Sequence, residues 1–222
     1  MAIKIKIPTS LADITLGQYK RYEKILDTNK NDEISERFVN LKMLEIFCNI
    51  TYQEATALKL IDYDYLIKQI HNTLKEQPPL VLRFKMGDTE FGFIPDLEEM
   101  TFGEYIDLDT NIHDITNIEK AMAVLYRPIK YKKGKKYVID QYKGDLFHDA
   151  MLNMPMSAVV SSIVFFYNLG IELSSVMMKS LDKEDLTPQQ LQDLEINGVG
   201  TNLYMPFVTE ILQKSKMLPN KE

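Results

Sequence analysis

Two nearly identical strings, TLGQY at Thr15–Tyr19 and TFGEY at Thr101–Tyr105, most constrain what this chain can fold into. In each, a threonine stands where its hydroxyl can accept the N–H three residues on. Gln18 or Glu104 can then reach back to the threonine's own N–H, which completes a capping box and opens a helix. Ile14 and Met100 precede the caps, and Tyr19 and Tyr105 follow four residues later, the spacing of a hydrophobic staple. Gly17 and Gly103 fall in the first turn, where weak helix propensity does little harm. Thr51 with Glu54 makes a third box of the same kind.

The similarity extends beyond capping. IPTSLADITLGQY, from Ile7, aligns with IPDLEEMTFGEY, from Ile94, with one residue deleted. An apolar stretch follows each, LKMLEIF in one and EKAMAVLY in the other. Boxes recur in most helical proteins by chance and common chemistry, but the shared Ile-Pro lead-in is not part of a box. The expectation is two related strand–helix–helix halves, residues 1–77 and 78–148, followed by a C-terminal helical region, 149–222. Two copies are too few for a solenoid and suit one domain built from related halves.

Periodicity fills in the rest. Ile3, Ile5 and Ile7 alternate with Lys4 and Lys6, as in an edge strand. Helices are expected over residues 15–26, 33–48, 51–60, 62–76, 101 onward, 118–126, 155–180, 188–196 (capped by Thr187) and 203–216. Leu80–Phe84 and Glu90–Ile94 flank Gly87-Asp88, and Ile129–Lys133 and Lys135–Ile139 flank Gly134, which predicts two hairpins. The fold class is therefore α+β, mainly helical, with two small β-hairpins. Met151–Ile171 is uncharged and long enough to span a membrane, but Ser157, Ser161, Ser162, Asn153, Asn168, Pro155 and Gly170 interrupt it. A buried or subunit-facing helix is expected there, with no membrane span. The N-terminal MAIKIKIPTS has no apolar run of signal-peptide length.

Chemistry is scarce. Phosphate-loop, G-x-G-x-x-G, G-x-S-x-G and H-E-x-x-H patterns are missing. The single cysteine, Cys48, leaves no zinc pair and no internal disulfide. His71, His113 and His148 are widely spaced. Asp107, Asp109 and Asn111 begin like a calcium loop, but Ile112 and Ile118 occupy the glycine and glutamate positions. Leu41–Leu60 has helix-turn-helix spacing, and its TYQEATALKL offers Gln53 and Lys59 for base or phosphate contact but sets Glu54 beside them, which argues against DNA reading. No enzymatic activity and no cofactor are expected.

Charge offers the strongest local feature. Overall the chain carries −6, which disfavours a surface devoted to nucleic acid. Yet Arg127, Lys130, Lys132, Lys133, Lys135, Lys136 and Lys143 face only Asp140 between residues 127 and 143, a net +6 that leaves −12 elsewhere. This reads either as a solvated hairpin whose lysines block edge pairing or as a basic finger for an acidic partner surface. Nucleic acid is a secondary partner, with Tyr131, Tyr137 and Tyr142 available to stack. The acidic remainder of a neighbouring copy could also receive the finger head to tail, as in a homo-oligomeric ring. The apolar helix around Val159–Tyr167 reads either as core or as a second contact surface.

Three blocks, LADITLGQY, EEMTFGEYIDL and EKAMAVLYRPIKYKKGKKYVIDQYKGD, resemble small virion and assembly proteins of tailed bacteriophages, most of all the crAss-like phages. The resemblance covers roughly residues 1–148 and carries over no functional residue. It implies a non-enzymatic virion protein, assembled in the bacterial host cytoplasm and partnered by other virion proteins. The foremost form is a tail or collar ring subunit. An internal cargo protein released at infection, a tail assembly chaperone or a DNA-contacting accessory protein are the alternatives.

Overall fold

The computed structural model describes residues 5–29 and 35–180. The helices expected at 188–196 and 203–216 lie outside the described residues. The fold is α+β and mainly helical, with helices α1 (Leu16–Thr28), α2 (Ser35–Cys48), α3 (Tyr52–Thr56), α4 (Leu60–Leu74), α5 (Phe102–Asn111), α6 (Ile118–Leu125), α7 (His148–Met151) and α8 (Met156–Ser180). Strands β1 (Arg83–Met86), β2 (Thr89–Phe93), β3 (Tyr126–Lys133) and β4 (Lys136–Ile139) complete it. Gly87 and Gly134 turn the two hairpins with φ of 57° and 62°, values that glycine adopts without a Cβ penalty.

All three predicted capping boxes form, at Thr15, Thr51 and Thr101, each with both reciprocal hydrogen bonds. A fourth forms at Ser10, where Asp13 closes the box over a single 3-10 turn, Leu11–Asp13. Of the predicted N-terminal strand only Ile5 to Ile7 are described, and they belong to no strand; Ile3 and Lys4 lie outside the described residues. The two hairpins are not separate. Phe91, Gly92 and Phe93 pair with Pro128, Arg127 and Tyr126, which joins them into one antiparallel sheet in the order β1-β2-β3-β4. This pairing spans α5 and α6, so local periodicity could not reveal it.

One continuous core runs from Leu11 to Phe166 and crosses both boundaries drawn from the sequence, at 77/78 and 148/149. Helix α8 accounts for much of this. Ala158, Val159, Ser161, Ser162, Ile163 and Phe166 are buried, and Phe165 and Phe166 meet Phe93 with ring centroids 5.6 and 6.3 Å apart. Val159–Tyr167 is thus a core helix, and its role as a contact surface is withdrawn. Ser161 and Ser162 are satisfied internally. Ser161 Oγ accepts from Val81 N–H (3.1 Å) and donates to Ala158 O (3.2 Å), and Ser162 Oγ donates to Val159 O (2.9 Å). Tyr126 Oη donates to Val81 O (2.8 Å), so the segment leading into β1 is tied to both α8 and β3. Among the described residues no helix is long and apolar enough to cross a membrane. The two halves also meet through Lys20 on α1, which donates to Thr116 O (2.7 Å) and pairs with Glu119 on α6.

Candidate interaction surfaces

The basic hairpin divides into three parts. Arg127 does not belong to the surface. It is 7% exposed, and its Nη1 donates to Glu104 Oε1 at 2.7 Å. The reason is register: Arg127 lies opposite Gly92 on the central strand pair, where β3 is still inside the fold. Lys130, Lys132 and Lys143 are surface residues already engaged within the chain. Lys130 and Lys143 pair with Asp140 at 2.7 and 3.4 Å, and Lys132 pairs with Glu90. These contacts hold both carboxyls low. The Lys130 hydrogen bond takes Asp140 down to about 2, and the Lys132 hydrogen bond lowers Glu90. Lys133, Lys135 and Lys136, at the tip, enter no ion pair among the described residues.

The tyrosines divide likewise. Tyr137 is not available for stacking on a ligand. Its ring lies over Gly92, where an added Cβ would come within 2.5 Å of it. Its hydroxyl donates to Phe93 O at 2.7 Å, and Arg83 sits 5.9 Å from its centroid. Tyr142 Oη donates to Asp107 Oδ2 at 2.9 Å. Tyr131 alone of the three is an exposed aromatic. Lys135 and Lys136 also line a groove of about 720 Å³, together with Leu80, Leu82, Phe93, Phe165, Asp96 and Glu98.

Two further apolar surfaces had no signal in hydrophobic periodicity. Tyr52, Leu60, Ile61 and Tyr65 are exposed at the α3–α4 corner, and Phe102, Tyr105 and Ile106 are exposed on α5. Tyr105, expected to staple against Met100, is 53% exposed, so such a contact would bury little of it. The capping residues serve the fold: Thr15, Gln18, Thr51, Glu54, Thr101 and Glu104 close helix starts, and Gln18 and Glu104 reach further. Gln18 Nε2 donates to Ile46 O on α2 at 2.8 Å, and Glu104 receives Arg127.

Titratable groups are dispersed. Burial pushes the Cys48 thiol up to about 11, which makes it a poor nucleophile. Burial also lowers His71 and His113. Among the described residues no three His, Cys, Asp or Glu side chains gather as a metal site requires. Comparison with protein-family models, curated proteins and solved structures gave no match.

Proposed function

We propose that the protein is a structural subunit of a tailed-phage particle, most specifically of a tail or collar ring, and acts through protein–protein contacts. The observation that carries this reading is the hairpin tip. Three lysines, Lys133, Lys135 and Lys136, stand outside every ion pair among the described residues, on a chain whose remainder is strongly acidic. A basic projection and an acidic body on one subunit are complementary head to tail, and such heterologous contacts form a ring where the rotation between subunits closes. The exposed apolar corner of Tyr52, Leu60, Ile61 and Tyr65 adds the kind of surface that interfaces use. Sequence resemblance to phage virion proteins supplies the setting.

Light scattering on the purified protein, with Lys133, Lys135 and Lys136 all changed to Glu as the comparison, tests this. The wild-type chain should give one defined oligomer that the variant loses. A strictly monomeric wild type that is also absent from particles would refute the reading. Binding to nucleic acid that weakens steeply with salt and vanishes in the variant would instead support the accessory-protein alternative.

A further inference from the structure

The groove beside the basic hairpin mixes apolar lining with unpaired charge of both signs. Leu82 and Phe93 line it with Lys135 and Lys136 and with the carboxylates of Asp96 and Glu98. Asp96 Oδ1 accepts from Glu98 N–H at 2.9 Å, a local turn that carries both acidic side chains. None of the four charges enters an ion pair among the described residues. Leu82 is 52% exposed, so apolar lining stands open to solvent. The volume of about 720 Å³ is that of a cleft able to receive several side chains.

A helix face elsewhere on the chain carries the complementary set. Leu60, Ile61, Asp64, Tyr65 and Lys68 share one side of α4, at positions i, i+1, i+4, i+5 and i+8. All five are exposed, and the side of α4 that packs inward uses Leu66, Ile70 and Thr73 instead. Asp64 and Lys68 stand at the spacing of a helical ion pair, yet neither enters an ion pair among the described residues. The face on α5, with Phe102, Tyr105 and Ile106 exposed, is as apolar. It fits the groove less well, because Phe102–Asn111 holds no basic residue to meet Asp96 and Glu98, and Glu104 is spent on Arg127.

We propose that Leu60–Lys68 of one copy docks in the groove of the next. Asp64 meets Lys135 and Lys136, Lys68 meets Asp96 and Glu98, and Leu60, Ile61 and Tyr65 cover the apolar lining. Within its own chain this α4 face stays in solvent, so a second copy is what brings face and groove together. The two are different surfaces, which makes the contact heterologous. Opposite charges set among apolar side chains fix partner and register. The proposal rests on the ring reading and deepens it, by naming the acidic surface that receives the hairpin lysines.

Charge exchange in the full chain tests it, read by light scattering over a dilution series. Asp64, Lys135 and Lys136 are exposed, so the substitutions leave the core alone. Asp64→Lys should raise the concentration of half-dissociation about tenfold or more, and Lys135→Asp with Lys136→Asp should do the same. All three changes in one chain should return it to within about threefold of wild type, because each contact then carries its charges in reverse. Phe102→Asp should leave it unmoved. An assembled wild type that Asp64→Lys does not weaken overturns this contact while the ring reading stands. Weakening by both charge changes with no recovery in the combined variant overturns it as well. Assembly lost with Phe102→Asp but kept with Asp64→Lys would assign the groove to α5 and overturn the proposal. A wild type that is monomeric at every concentration overturns the contact and the ring reading together.

Discussion

The two copies of the motif close their helices with the same atoms and then use the remaining atom of the same side chain differently. At Thr15, Gln18 Oε1 takes the cap N–H at 2.9 Å and its Nε2 donates to Ile46 O. At Thr101, Glu104 Oε2 takes the cap N–H at 2.7 Å and its Oε1 accepts from Arg127. The amide is needed where the neighbour is a carbonyl, and the carboxylate where it is a guanidinium. The difference between Q and E in otherwise matching strings therefore reflects a third element, α2 in one copy and β3 in the other. A local motif can be shared while its tertiary partner sets the one letter that varies.

The largest expected effect comes from breaking the Glu104–Arg127 pair on one side. Both members are buried. Arg127→Met or Glu104→Gln should cost roughly 3–5 kcal/mol, because one charge is left without its partner in the interior. Urea unfolding midpoints would read this, and a loss under 1 kcal/mol would mean that water reaches the survivor.

The matching change in the first copy is smaller. Gln18→Glu retains the cap but loses the donation to Ile46 O, for an expected loss of about 1–3 kcal/mol from a carbonyl left unpaired beside a carboxylate. Gly17→Ala should cost a similar amount, about 1–3 kcal/mol, because Leu152 O must retreat from the new methyl. Gly103→Ala sharpens the contrast through its sign. With nothing within 4 Å of a Cβ at that position, the variant should gain up to about 1 kcal/mol in helix propensity. Thr51→Ala, at the exposed third box, should cost about 1 kcal/mol as an ordinary cap loss.

The smallest effect is a pH dependence. Burial lowers His71, assisted by Lys75 and opposed by Glu36, and burial lowers His113 against Asp109. The unfolded chain then binds protons more readily than the folded one. Stability should be fully present above the ordinary histidine value of 6.5 and should decline as pH falls through it toward the lower folded values. Thermal melts between about pH 7.5 and 5, a window spanning the histidine range, should show this, and His71→Gln should flatten the slope. An unchanged slope would place the dependence elsewhere.

Much of this fold is written in local patterns. The capping boxes, both turn glycines and the strand positions around them follow from side-chain chemistry within four or five residues. Ser10 with Asp13 is a box of the same spacing, legible in SLAD but unread because it opens only one turn. What local patterns do not carry is the partner. Arg127 reads as one more charge in a basic run, since nothing near it names Glu104, 23 residues earlier. Tyr137 reads as an exposed aromatic because its cover of Gly92 depends on strand register. The serines of α8 argued against a membrane span but did not disclose that two of them answer Val81 and the helix's own carbonyls. The surface candidates shrank in the same way, from seven basic residues to three unpaired lysines at a tip.

A double-mutant cycle tests most directly whether a distant partner sets the variable letter. Glu104→Gln and Arg127→Met should be coupled in equilibrium unfolding by about 1–3 kcal/mol, the double variant recovering part of what each single variant loses. Crossing Arg127→Met with Gln18→Glu should give simple addition within about 0.5 kcal/mol. Additivity in the first cycle, or coupling of equal size in the second, would contradict the account.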